Sequence, residues 1–366
     1  MRTMTLGVEE EFLLVDAHTG ALVPRSPLLL ERAVPHLGAR VQPELNECQI
    51  EVASEIATDL ADLESDLAHL RHTLSAVSAD MGTAIAPLGT HPFSSWRDQR
   101  INSKLARYRE MEDAYQVVAR QQVICGCHVH VGIDDPDLVV AVMNRSRTWL
   151  PVLLALSANS PFWSGSDSGF ASYRTQVWQR WPTSGMPPTL AGRAEYDAVV
   201  QELASIDAIE DATFMYWYVR PSDRYPTLEF RPCDVCLDVE DAVTIAGLVR
   251  ALAWTSAREE EVGVAPPLRS REALDAAMWH AARYGTTSTL IDPELPMTRP
   301  AEEVVDVFVR HVAEGLDVHG DRARVESGVR RILARGNGAV RQRAAAATGS
   351  PWAVVEELFA RRDRVS

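Results

Sequence analysis

Six residues near the N-terminus, Gly7-Val8-Glu9-Glu10-Glu11-Phe12, restrict the fold more than any other stretch of the 366-residue chain. They run directly into Leu13-Leu14-Val15, so three acids open an apolar strand predicted over Thr5 to Val15. Side chains alternate along a strand. Glu9 and Glu11 therefore share a face with Gly7, while Val8, Glu10 and Phe12 share the other. Adjacent carboxylates repel and ordinarily sit on a solvated surface. The apolar continuation argues instead for a half-buried sheet face, where paired carboxylates suit a hard divalent cation.

Three further segments carry the same kind of pattern. In Gly126-Cys127-His128-Val129-His130-Val131-Gly132, alternation puts His128 and His130 on one face, with Cys127, Val129 and Val131 on the other. One histidine there would read as a satisfied core group; two between glycines read as a site, the glycines leaving room for a ligand. In Thr227 to Asp234, Glu229 and Arg231 share a face opposite Leu228 and Phe230. That pair is either a salt-bridged edge strand or a metal carboxylate beside a guanidinium that grips phosphate or carboxylate. The fourth segment, Glu44-Leu45-Asn46-Glu47-Cys48-Gln49-Ile50-Glu51, has no helical period. Glu47, Gln49 and Glu51 share parity, whereas Glu44 joins Glu51 only if the chain bends.

Around these segments, strand-like runs (Val41 to Ala53, Thr83 to Leu88, Gln122 to Ile133, Phe214 to Val219) mix with helical ones over the first two thirds. Ser26-Pro27 predicts a helix start with Ser as cap. The clearest helix follows Asp59, with Leu60, Leu63, Leu67, Leu70, Leu74 and Val77 recurring every three or four residues and a stop near Gly82. Further helices are predicted over Lys104 to Arg120, Pro136 to Leu156 with a break at Pro151, and Tyr196 to Leu203. Ser157 to Pro188 reads as a long loop ordered by Trp163, Trp178 and Trp181. From Asp238 the pattern is helical, broken at Pro266-Pro267, Pro293, Pro296 and Gly336-Asn337-Gly338. The length suggests about two domains.

With 46% hydrophobic and 24% charged residues, wholesale disorder is excluded. A net charge of −15 argues against a nucleic-acid or anionic-membrane binder. Thirty-five of the 36 basic residues are arginine, a skew ascribed to base composition. No signal peptide is expected before Glu11, and Trp149 to Ala158, the most apolar stretch, is too short to span a bilayer. Five cysteines read as reduced thiols, so a cytoplasmic location is expected.

The four segments, in this order and spacing, resemble glutamate–cysteine ligases, and more closely the bacterial carboxylate–amine ligases called glutamate–cysteine ligase type 2. The likeness runs from about Thr5 to Ala253 and includes Ser160-Pro161-Phe162-Trp163 and Ala171-Ser172-Tyr173-Arg174. It implies an α+β fold: a glutamine-synthetase-like curved antiparallel sheet with helices on its outer face. Residues 1–253 would form the catalytic region and residues 254–366 a helical C-terminal region packed on it. It also implies an ATP-dependent ligase that activates glutamate as an acyl phosphate for attack by an amine such as cysteine, with two or three Mg²⁺ ions. The implied metal ligands are Glu9, Glu11, Glu44, Glu51, His128 and Glu229, with Glu47 as a further candidate. His130, Gln49 and Arg174 fall to substrate or nucleotide, and Arg231, beside Glu229, to the transferring phosphate. The long loop with Trp163 or Trp178 is a candidate wall for the acceptor, and a homodimer is expected.

Other readings start from the same residues. Neither a P-loop nor a dinucleotide-binding glycine motif is present. Cys233 and Cys236, with Cys125 and Cys127, lack zinc-ribbon spacing. A zinc hydrolase using His128, His130 and a glutamate, a ligase with another acceptor, and a silent binding protein on the same fold remain alternatives.

Overall fold

The computed structural model describes residues 3–267, 269–349 and 352–362. The alternating segment Leu6–Asp16 (β1) becomes the centre of the main sheet. Around it lie Val41–Pro43 (β2), Gln49–Ala53 (β3), Thr83–Ala86 (β4) and Gly126–Gly132 (β5). Phe162–Trp163 (β6) and Ser166–Asp167 (β7) make a small separate hairpin, and Val219–Pro221 (β8) and Thr227–Asp234 (β9) complete the main sheet. Its order is β2-β3-β1-β5-β9-β8, all antiparallel, with β4 pairing the second half of β1 beyond the reach of β5.

One face of this sheet is roofed by helices. Ser26–Leu37 (α1) and Leu60–Ala79 (α2) pack together, and α2 turns Leu60, Leu63, Leu67, Leu70 and Leu74 inward. Asp59 caps α2, accepting from the N–H groups of Ala61 and Asp62 at 2.9 Å each, as its position before the leucine repeat predicts. Ser26 is the first residue of α1 and caps nothing by its side chain; its N–H donates instead to the Glu47 carbonyl. The helix predicted over Lys104 to Arg120 divides into Ala106–Tyr115 (α3) and Val117–Arg120 (α4), because Gln116 takes φ 51°. Pro136–Ser146 (α5) and Leu150–Ser157 (α6) are split by a 3₁₀ turn, with Pro151 in the first turn of α6. The long loop is ordered by Tyr173–Trp178 (α7) and by the buried Trp178 and Trp181; Arg193–Ser205 (α8) follows.

Val239–Glu261 (α9) is buried from Asp241 to Ala257 and packs on β1, β5, α2 and α5. The boundary expected after Ala253 falls inside this helix. Arg271–Tyr284 (α10), Ala301–His311 (α11), Ala313–His319 (α12), Arg322–Arg335 (α13), Gly338–Ala346 (α14) and Trp352–Arg362 (α15) form the C-terminal part. Helices α12 and α13 lie on α9. Arg250 of α9, fully buried, donates to Asp321 at 2.5 Å and to the Thr58 carbonyl at 2.7 Å, tying this part to the first third of the chain. Pro293 and Pro296 interrupt the helices as expected, but the interruption is itself a hairpin, Thr289–Ile291 (β10) with Thr298–Pro300 (β11). Among the described residues, no helix is long and apolar enough to cross a membrane.

Candidate active site

Strand register, which no local pattern specifies, assembles the site on the face of the sheet away from α2. Glu9 pairs with His128, Gly7 with His130, Glu11 with Glu51, and His130 with Glu229. Four strands thus bring predicted acids and histidines from all four segments together. Glu44 arrives differently: it lies in the turn after β2, and that turn carries it over Glu11 and Glu51. Three overlapping groups place one donor atom from each member within 4.8 Å: Glu9, His130 and Glu229; Glu9, Glu51 and His128; Glu11, Glu44 and Glu51. They open onto a cavity of about 500 Å³.

His128 Nδ1 stands 3.3 Å from Glu9 Oε2, and its Nε2 3.7 Å from Glu11 Oε1. His130 Nε2 is 3.5 Å from Glu9 Oε1, and its Nδ1 meets Thr227 Oγ1 at 2.9 Å. Both Nε2 atoms are buried without a hydrogen-bond partner. Burial raises the Glu9 carboxyl, but the two histidines outweigh it and hold that group well below its ordinary value. Burial, then the repulsion of Glu9, Glu44 and Glu11, pushes Glu51 well up; burial and Glu11 push Glu44 up to about 7. Burial and the Arg231 charge depress His128, whereas His130, despite burial, is raised by Glu9 and Glu229.

Glu229 is held between two arginines. Arg220 of β8, its register partner, donates Nε to Oε2 at 2.9 Å, and Arg231 donates to Oε1. Burial opposes its ionisation, yet the Arg220 and Arg231 charges hold its carboxyl well below the usual range. Arg220 shapes the local chain as well. The segment Phe214 to Val219, expected as strand, starts as a 3₁₀ turn at Ala212–Phe214, and Arg220 Nη1 takes the carbonyls of Ala212 and Thr213 at 2.9 and 2.8 Å. Arg107 adds a bond to Thr213 Oγ1 at 2.8 Å and stacks on Phe214. Arg107, Tyr108, Arg220, Arg224 and Tyr225 line the cavity, and none is singled out by a motif. The register of Arg220 against Glu229 is the one signal that could have found any of them.

Other expected residues lie elsewhere. Gln49 is buried and bonded to the Ile124 carbonyl at 2.7 Å and to Asn46 at 2.8 Å, and it does not line the cavity. Glu47 faces Arg100 at 3.7 Å outside it. Arg174 lies behind the cavity wall, 3.9 Å from Asp234, reaching the Arg231 carbonyl and stacking on Trp178. Ser160 and Ser172, from the two motifs of the long loop, both donate to that buried Asp234, at 2.7 and 2.8 Å. Trp178 lines the cavity, while Trp163 does not. The glycines around the histidines do not make room for a ligand: a β carbon at Gly126 would strike the Arg174 guanidinium, and one at Gly132 would strike Thr5.

The fold and site have known relatives. A protein of Streptomyces coelicolor provisionally named glutamate–cysteine ligase 2 is 43% identical over 355 residues, covering 96% of this chain and 97% of its own. One of Rhodopirellula baltica with the same name is 39% identical over 345 residues, covering 93% and 92%. Two solved structures share the fold at low identity. A glutamate–cysteine ligase of Francisella tularensis, crystallised with AMP, aligns with TM-score 0.73 at 12% identity over 99% of this chain and 88% of its own. A bifunctional glutathione synthetase of Pasteurella multocida gives 0.69 at 17% over 97% and 51%. The sheet is thus the glutamine-synthetase-like one that the motifs implied. The model of the family described as glutamate–cysteine ligase family 2 matches residues 5–357, and the chain belongs to that family.

Proposed function

We propose that the chain joins the γ-carboxylate of L-glutamate to the amine of L-cysteine, with ATP converted to ADP and phosphate through a γ-glutamyl phosphate. Membership of the family makes it an ATP-dependent carbon–nitrogen ligase. The observation that carries the rest is a face of five carboxylates and two histidines with Arg231 at its edge, all lining one cavity. A carboxylate is a poor electrophile. Transfer of the γ-phosphoryl group to one of its oxygens turns that oxygen into a leaving group. The amine nitrogen then forms the amide bond, the acyl carbon–oxygen bond breaks, and phosphate departs as the nitrogen sheds a proton.

The donors fit hard divalent cations. Glu44 and Glu51 are burdened by burial and mutual repulsion, and the Nε2 atoms of His128 and His130 are buried and unpartnered. Each of the three overlapping groups holds at most one histidine and otherwise carboxylates, a donor set suited to Mg²⁺ more than to zinc. Mg²⁺ held by Glu9, Glu11, Glu44, Glu51, His128 and Glu229 would offset the repulsion between nucleotide and substrate anions. Arg231, charged and facing the cavity, stabilises the phosphoryl group in transfer. His130, anchored by Thr227, presents Nε2 to the substrate side. Five free thiols fit a reducing cytoplasm.

The test is ADP and phosphate release with Mg²⁺, ATP and glutamate against a panel of amines. Turnover with cysteine above all other amines is the expected result. Turnover only with another amine replaces the acceptor. No turnover with any amine beside a working control ligase, or tightly bound stoichiometric zinc in the purified protein, overturns the reading.

A further inference from the structure

The two arginines on Glu229 are not equivalent, and the difference assigns Arg220 a role. Among the described residues Arg231 donates to one side chain, Glu229; its Nε is buried without a hydrogen-bond partner, and its guanidinium rests over the Trp178 ring at 5.1 Å. Arg220 is bonded at both ends. Its Nε holds Glu229 Oε2 at 2.9 Å, and its Nη1 spans the carbonyls of Ala212, Thr213 and Met215 at 2.9, 2.8 and 3.3 Å. Those carbonyls belong to the turn that carries Thr213 and Tyr216 into the cavity. Glu229 Oε1, which Arg231 holds and Arg220 does not touch, is the atom 3.9 Å from His128 Nδ1 and 4.0 Å from His130 Nε2.

We infer that Arg220 is a positioning residue, a rigid strut that fixes Glu229 Oε2 against the Ala212–Met215 turn so that Oε1 is presented to a divalent cation. Arg231, which holds Oε1 in this structure, turns to the substrate when a cation takes that oxygen. The inference rests on the proposed reading of this face as a cation site. It explains why the position needs a fork: an ammonium on a single stem cannot bond a carboxylate and three carbonyls on opposite sides at once. It also makes Arg220 part of the acceptor wall, because the turn it holds supports Tyr216, against which Trp181 stacks at 5.0 Å.

Charge and geometry predict opposite signs, so they can be separated without turnover. Mn²⁺ binding to the full-length protein, followed by electron paramagnetic resonance, is measured for wild type, Arg220→Met and Arg220→Lys. If Arg220 were only a counter-charge, its removal would leave the acids more negative and tighten Mn²⁺ binding, and lysine would restore the wild-type value. A strut predicts that both variants bind about 10–100-fold more weakly, the usual cost of losing a partner that orients a metal ligand. In a Glu229→Gln background, Arg220→Lys should then cost nothing further. Tighter or unchanged binding in Arg220→Met, or full restoration by lysine, overturns the inference alone. A folded wild type that binds no Mn²⁺ overturns the cation-site reading and this inference with it. Arg220→Lys, which keeps the charge, carries the test if Arg220→Met does not fold.

Discussion

Glu9, Glu10 and Glu11 are consecutive in β1, yet the two faces of the strand treat the same side chain in opposite ways. Glu10 points under the helices, is fully buried, and is gripped by Arg71 of α2 through Nε at 2.8 Å and Nη2 at 2.5 Å. The remaining donors of Arg71 meet the Leu237 and Cys236 carbonyls at 3.0 and 2.9 Å. There the charge is matched, and each oxygen of Glu10 has a donor. Across the strand, Glu9, Glu11, Glu44 and Glu51 share too few donors: the closest histidine approach to Glu9 is 3.3 Å, and Glu11 accepts from the Gly126 N–H at 2.6 Å. Buried acid is thus compatible with a stable fold when the protein supplies its partner. Where the protein supplies fewer donors, the proposed reading gives the acids a divalent cation as partner.

That contrast can be broken by substitution. The largest effect should come from the complete face. Arg71→Met strands Glu10 in the core and should cost about 3–5 kcal/mol of stability, read as a fall in urea midpoint. A loss below about 1 kcal/mol would mean that the pair is not the closed unit described. On the open face the penalty moves from folding to turnover. Arg231→Ala should fold but lose about 10²–10³ in ADP release, the usual loss for one donor to a developing charge. Near-wild-type turnover would remove Arg231 from the site.

A smaller effect is a pH dependence carried by Glu44. Its folded value of about 7 lies above its ordinary 4.5, so the folded state keeps a proton that the unfolded chain has released. This contribution to stability is complete below pH 4.5 and is lost as pH rises through about 7. Metal-free protein should therefore melt at lower temperature as pH rises over that window, by more in wild type than in Glu44→Gln. Added Mg²⁺ should remove most of the difference; identical pH profiles for the two proteins would refute it. The smallest effect on stability is expected for Glu51→Gln. Without metal its melting temperature should equal or exceed that of wild type, whereas Mg²⁺-dependent turnover should disappear.

What could be read before folding follows from the range of each signal. Alternation is local, so the faces of Glu9 and Glu11, His128 and His130, and Glu229 and Arg231 are legible from parity alone, and α2 from its leucine repeat and Asp59 cap. Glu44 was out of reach of parity, because its place depends on a turn. Gln49 and Arg174 sit in the right motifs, but their partners, the Ile124 carbonyl and Asp234, come from distant segments and turn them into supports. Arg220 is one arginine of 35, and only the pairing of β8 with β9 distinguishes it.

The order of strands has a consequence in time. β1 leaves the ribosome before its partners in the site, which arrive on β3, then β5 and finally β9, more than 200 residues later. At ordinary synthesis rates that delay is on the order of tens of seconds. Until β5 emerges, about halfway through it, Glu9 and Glu11 have neither histidines nor arginines to face. Their mutual repulsion opposes pairing of the unfinished sheet with a neighbouring chain, so the same charges that shape the cavity should also protect the strand from aggregation.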